Sequence, residues 1–427
     1  MNIPSKMFEK LLVLLEKHLI PCNIHDPCFC EKISNLIGDA RIVLMGEATH
    51  GTVEFYQARM ALSEYLIREK GFHAIALEGD WAPVHAIHRY CKHHDKVRSP
   101  EAALEGFKRF PVWMWRNTAM LDFIKKIRKN NPISFYGLDL YGLNDSMQAV
   151  SDYFKQYHPT EAKKVMQRYA CLDNVSVSPQ MYSYLIEQKL KKSCVKEVTA
   201  QFIETQRIIS QHIFLNPNEK ENQFCALQNA RVVQNAENYY RTLLEHSSIT
   251  WNIRDRHMAD TLHNIMAYLE DIHRVPAKVI VWAHNSHVGD ARATEMSERQ
   301  EINLGQLVRE RFHTSSFLLG FSTAEGHVTA ATAWDGLAEH KVVRSPIQGS
   351  YESLFHAAKE KNFIVNLRTD TPLTHLLKSP QLQRAIGVIY RPEAERISHY
   401  YFSRLPYQFD AIVHLDKTNS IVPLEDS

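Results

Sequence analysis

Residues Arg41 to Gly51 read R-I-V-L-M-G-E-A-T-H-G, a short apolar run that stops at a carboxylate, a hydroxyl and an imidazole set between two glycines. Arg41 to Met45 is too short for a helix, and its apolar, unalternating character is that of a strand covered on both faces. Gly46 and Gly51 admit close approach of other groups to the backbone. Glu47 and His50, three residues apart, converge if the turn between them is tight.

The same punctuation recurs along the chain. Ala74 to Leu77 leads into Glu78-Gly79-Asp80, Ile133 to Tyr136 leads to Gly137 and Asp139, and Lys278 to Ala283 leads to His284-Asn285-Ser286-His287. Helical patterns, Val53 to Lys70 and Pro83 to His94, fall between these runs. The alternation predicts an α/β fold with a mostly parallel central sheet flanked by helices. In such sheets ligands bind outside the carboxyl ends of the strands, so the acids and histidines at these ends are expected to face one crevice.

Between residues 142 and 275 strand-like runs become scarce, and Glu187 to Gln211, Gln223 to Glu245 and Trp251 to Leu269 carry helical composition. Strand patterns return in Val279 to Trp282, Ser316 to Gly320, Phe363 to Leu367, Ala385 to Ile389 and Ala411 to Leu415. The core is therefore read as discontinuous. Residues 1–141 form its first part, 142–275 a helical insertion, and 276–427 its second part, with room for a small C-terminal α+β subdomain. Pro21 to Glu31 reads as a turn-rich connection, and the charges of Arg254, Asp255, Arg256 and His257 as a solvated face.

The 427 residues, 44% of them hydrophobic, suffice for a large core. Fifty Lys and Arg against 48 Asp and Glu leave a net charge of +2, which gives no footprint for nucleic acid or an anionic membrane. No run approaches the roughly 18 to 20 apolar residues of a membrane span, and Met7 to Ile20 reads as an amphipathic helix, not a signal peptide. Seven cysteines in a long chain suit reduced thiols and a cytoplasmic setting. Cys22, His25, Cys28 and Cys30 cluster locally, but their spacing fits no standard zinc finger or ribbon. His85 and His88 share one helical face and read as packing or solvent-exposed residues. The sequence is silent on oligomeric state.

Several chemistries lack their anchors. The chain has no G-x-x-x-x-G-K-[ST] phosphate loop, no G-x-G-x-x-G after a strand and no G-x-S-x-G elbow. What remains is Glu47, His50, Glu78, His284 and His287, which support two readings. One is a histidine base oriented by carboxylates that takes a proton from water. The other is a divalent-metal site with an open position for water. A third reading, non-catalytic, has Trp81, Trp113 and Trp115 gripping a bulky apolar ligand. The segment F-P-V-W-M-W-R, Phe110 to Arg116, suits a pocket wall as well as a core. Arg59, about two turns into its helix, is either a surface arginine or a cation reaching back over the strand end.

Six ordered blocks make the pattern specific: G-E-A-T-H-G at 46–51, L-E-G-D-W at 77–81, F-P-V-W-M-W-R-N at 110–117, Y-G-L-D-L-Y-G at 136–142, R-D-R-H-M-A-D at 254–260 and W-A-H-N-S-H-V-G-D at 282–290. Together they resemble the erythromycin esterase family. The resemblance implies an α/β core with a helical insertion and a deep cleft. It also implies hydrolysis of a carboxylic ester or macrolactone, erythromycin-type macrolides first, without metal or other cofactor, and an antibiotic-resistance role in some members. On the matching positions, His50 resembles the general base, and Glu47 and Glu78 the carboxylates that orient it and the water. Arg59, His284 and His287 resemble polar cleft residues that stabilise an oxyanion. Trp81, Trp113, Trp115, Arg116 and Asp139 are expected to line the substrate site. The expected partner is a small-molecule ester or macrolide.

Overall fold

A computed structural model describes residues 5–93, 97–130, 133–173, 175, 178–211 and 216–425. His94, the expected end of one helix, lies outside them. The chain forms two compact units. The first comprises Met1–Ala76, Ile87–Ser134 and Lys278–Ser427; the second comprises Leu77–Ala86 and Phe135–Ala277. The strands in chain order are β1 (Ile20–Pro21), β2 (Ile42–Met45), β3 (Ala74–Asp80), β4 (Ser134–Asp139), β5 (Val279–Trp282), β6 (Ser316–Ala330), β7 (Glu339–Val343), β8 (Asn362–Asn366), β9 (Gln381–Arg384), β10 (Tyr400–Ser403) and β11 (Ala411–Thr418).

In the first unit the sheet runs β1-β8-β11-β6-β2-β5, with β7 beside β6. Its centre is parallel: β2 pairs in parallel with both β5 and β6, and β11 with β6. The outer strands β8, β1 and β7 pair antiparallel. Every residue of β2 is fully buried, the condition its apolar run anticipates. β6 continues ten residues past the expected Gly320, paired with β11 as far as Gly326 and with β7 from Gly326 to Ala330.

Val53–Lys70 is helical over the expected range and stops at Gly71, whose left-handed conformation lets its N–H reach the Leu66 carbonyl. Two expectations give way. Pro21 to Glu31 is not all turn, since Pro27–Ile37 is a helix: Asp26 accepts from the Cys28 N–H at 2.9 Å, Pro27 occupies the first turn, and Phe29, Ile33 and Ile37 are buried. Ala385 to Ile389 is not a strand of the sheet. The preceding Gln381–Arg384 takes the extended role, pairing antiparallel with β10, and 385–389 makes only isolated bridges through Ile386 and Ile389.

Gly51 closes the turn that follows β2. A Cβ there would stand 1.8 Å from the Thr329 carbonyl oxygen, because Gly51 and Thr329 pair backbone to backbone at 3.1 Å. Gly51→Ala is expected to destabilise the fold by about 1–3 kcal/mol, as overpacking does. Gly387→Ala, with nothing within 4 Å of its Cβ position, should leave the urea midpoint unchanged.

In the second unit the Leu77–Asp80 part of β3 lies beside β4. The rest is helical, chiefly Leu143–Tyr157, Pro159–Tyr169, Val195–Ser210, Pro217–Arg241 and Ser247–His273. The apolar faces of the first four enclose Val150, Phe154, Val165, Val198, Ala230 and Val233. The expected helix Glu187 to Gln211 is broken: one helix ends at Glu187, Lys189 turns with φ 58°, and the next starts at Val195. Cys171 and Cys194 are joined as a disulfide here, which corrects the expectation of seven reduced thiols. No helix among the described residues is long and apolar enough to cross a membrane.

Candidate active site

The turn after β2 delivers Glu47 and His50 to one point in the first unit. His50 Nδ1 lies 2.9 Å from Glu47 Oε1, so this nitrogen carries the proton that the carboxylate accepts. The tautomer leaves the lone pair on Nε2, the arrangement a general base needs. Glu47 Oε2 accepts from Arg59 Nη2 at 2.5 Å, and both side chains of that pair are fully buried. The Arg59 guanidinium lies between two rings, 4.8 Å from the Tyr56 centroid and 5.0 Å from that of Trp282. Arg59 is therefore an interior cation that fixes Glu47, not a surface residue. The Tyr56 hydroxyl reaches the His50 carbonyl at 3.2 Å and the Met114 carbonyl at 2.5 Å, which ties the turn after β2 to the aromatic segment.

β5 ends beside this turn: the Asn285 N–H donates to the Glu47 carbonyl at 2.9 Å, and Gly46 leaves room for the Asn285 side chain, whose Oδ1 would meet a Cβ at 2.0 Å. The His284 ring lies 4.8 Å from the His50 ring, tilted by 40°. His284 Nδ1 accepts from the Ser286 N–H at 3.3 Å, capping the short helix Asn285–Val288. With Nδ1 accepting, Nε2 bears the hydrogen. The two imidazoles thus hold opposite tautomers, one an acceptor and the other a donor. His287 is buried on the same short helix.

Of the aromatic residues, Trp113 and Trp115 are both buried, Trp115 making an edge contact with Tyr56 at 6.3 Å between centroids. Arg116 pairs with Glu425, and its carbonyl accepts from the Leu424 N–H at 3.0 Å, so it anchors the C-terminal segment.

In the second unit Glu78 and Asp139 converge on Arg254. Its Nη2 donates to Glu78 Oε1 at 2.7 Å and to Asp139 Oδ2 at 2.5 Å, while Nε reaches Asp139 Oδ1 at 3.0 Å. Burial alone would lower the arginine's proton affinity; the Asp139, Tyr141 and Glu78 side chains outweigh it and hold the guanidinium charged. Trp81, 1% exposed, stacks on Tyr136 at 5.7 Å and meets Phe224 edge-on.

The run Arg254 to His257 is not a solvated face: Arg256 is exposed, but Asp255 and His257 are buried and Arg254 is nearly so. Arg254 is the residue that reading the charges as a run misses, although it opens the block R-D-R-H-M-A-D. His257 Nδ1 accepts from Asn235 Nδ2 at 2.8 Å, and burial drives its pKa down to about 4. Since the unfolded chain takes up this proton near pH 6.5 and the folded chain near 4, stability is expected to fall as pH drops through that window. The loss from this residue amounts to about 3 kcal/mol. Urea midpoints across pH 4–7 should flatten in His257→Gln.

Residues 67–418, well over half of the chain, match the sequence profile of the erythromycin esterase family, a span that begins after Glu47, His50 and Arg59. YbfO of Bacillus subtilis strain 168, a protein named as a hydrolase, is 22% identical over 340 residues, covering 76% of this chain and 74% of its own. A Bacillus cereus protein of known crystal structure is similar with a TM-score of 0.77 at 22% identity, over 98% of this chain and 99% of that one. The open conformation of a mutant erythromycin esterase, EreC, is similar with a TM-score of 0.69 at 17% identity, over 93% of this chain and 95% of that one. At these identities the structures share the fold. On the strength of the profile, the chain belongs to the erythromycin esterase family.

Proposed function

We propose that the protein is a hydrolase of carboxylic esters or lactones that works by histidine-activated water, without a metal at the reacting atoms. The observation that carries this reading is the Glu47–His50 hydrogen bond, which commits Nδ1 to the carboxylate and leaves Nε2 to accept a proton. In the proposed step, His50 Nε2 takes a proton from water as the water oxygen bonds to the ester carbonyl carbon. Glu47 stabilises the imidazolium so formed, with Arg59 holding the carboxylate in place. The carbonyl oxygen becomes an oxyanion facing the donor nitrogen of His284. Collapse breaks the bond to the leaving oxygen, which receives the proton from His50. One ester and one water thus become an acid and an alcohol.

Glu78 enters this reading through the family pattern as a carboxylate that orients water, with Asp139 and Arg254 as its supports. His287, Trp113, Trp115 and Arg116 are proposed to shape the substrate site. The substrate is proposed to be a small-molecule ester, with an erythromycin-type macrolactone as first candidate, since YbfO and EreC carry the names of a hydrolase and a macrolide esterase. The test is to incubate the purified chain with erythromycin and a panel of simpler esters and lactones, and to look by mass spectrometry for the gain of one water. Glu78→Gln should be slower than wild type on any substrate that is found. Absence of hydrolysis across the whole panel would defeat the reading.

A further inference from the structure

Outside the residues assigned to hydrolysis, one group of soft and hard donors comes together within the second unit. His85 Nε2 lies 3.4 Å from Glu221 Oε1 and 3.3 Å from Cys225 Sγ, and one donor atom from each of the three lies within 4.8 Å of the others. Among the described residues, Cys22, His25, Cys28 and Cys30, the local cluster visible in the sequence, form no such group. Glu221 and Cys225 are four residues apart on the helix Pro217–Arg241, so both project from one face toward His85.

The separations bear on what the group is for. A strong N–H···O bond closes to about 2.9 Å, and the His85–Glu221 contact is half an ångström longer. Two ligands on a tetrahedral ion with bonds of about 2.0–2.3 Å stand about 3.3–3.6 Å apart, the range in which both contacts of His85 fall. The burial is also compatible with a metal site: Cys225 is buried, while the His85 and Glu221 side chains keep 21% and 19% exposure, so solvent reaches the group. The neighbouring Phe224 stacks on Tyr268 at 4.0 Å and meets Trp81 edge-on, so the wall is apolar and screens the charges weakly.

We propose that His85, Glu221 and Cys225 bind a divalent ion of the zinc class, with solvent as fourth ligand. A thiolate with an imidazole selects zinc or cobalt over the hard cations magnesium and calcium. The ion cross-links the segment carrying His85, seven residues after Glu78, to the long helix Pro217–Arg241. Its role is to hold that segment in place, and it takes no part in the His50 chemistry.

The experiment is a titration of the metal-stripped full chain with cobalt(II), then with zinc. One equivalent of cobalt is expected to give a thiolate-to-metal charge-transfer band and tetrahedral d–d bands, both erased by one equivalent of zinc. Zinc should also raise the melting temperature. In Cys225→Ser the charge-transfer band should vanish, and in His85→Ala affinity should fall by about 100-fold or more, beyond what losing an outer partner costs. A wild-type cobalt spectrum with no thiolate band overturns the proposal without recourse to any variant. So does a band that survives in Cys225→Ser. Hydrolysis is read separately in the same samples, so loss of activity and loss of metal binding are distinguished.

Discussion

His50→Asn is expected to lower ester turnover by about 10²–10⁴-fold, the contribution of a positioned general base, with the fold intact. Asparagine is shorter than histidine, and its amide can still donate toward Glu47, so the turn after Met45 keeps its hydrogen bond. It offers no basic nitrogen on the far side, where His50 Nε2 has its lone pair. The backbone of residue 50 remains pinned by Tyr56, whose hydroxyl reaches the carbonyl and not the side chain. Far-UV circular dichroism and the urea midpoint should therefore match wild type while kcat collapses. Equal loss of stability and activity would mean that His50 is a packing residue.

Arg254→Met is expected to give the largest loss of stability, about 3–5 kcal/mol, because it removes one partner of a buried ionic group and leaves the others uncompensated. Glu78 and Asp139 are 5% and 3% exposed, and Arg254 serves both. Without it two carboxylates would face each other in a poorly solvated place. Arg254→Lys keeps the charge but cannot bridge Glu78 and both oxygens of Asp139 with its single ammonium, so an intermediate loss is expected. Urea unfolding of the three proteins at pH 7 measures all of this.

The parallel centre of the sheet was legible because β2 and β5 are buried on both faces and so carry unbroken apolar runs. Family membership was legible from the ordered blocks. The helix Pro27–Ile37 was hidden because Asp26-Pro27 reads equally as a turn or as the cap and first turn of a helix, and only the burial of Phe29 and Ile33 decides between them. Ala385 to Ile389 looked like a strand by composition, but the pairing of Gln381–Arg384 with β10 comes first in the chain and takes the extended geometry.

At the candidate site, the approach of Glu47 to His50 follows from a three-residue spacing within a tight turn. The opposed tautomers of His50 and His284 do not follow from spacing, since they depend on a carboxylate in one case and a capping N–H in the other. Arg254 reaches partners 115 and 176 residues away, and His85 reaches Glu221 across 136 residues. Nothing local marks either pairing, so charges read along a single helix looked like surface.

The most direct test of histidine-activated water compares chelator-treated wild type with His50→Asn, on whichever ester the wild type hydrolyses, by the mass of the product. The account predicts that the chelated wild type keeps its turnover and that the variant loses it with or without added zinc. Turnover that disappears with the chelator and returns with zinc, or a His50→Asn protein as active as wild type, would contradict it.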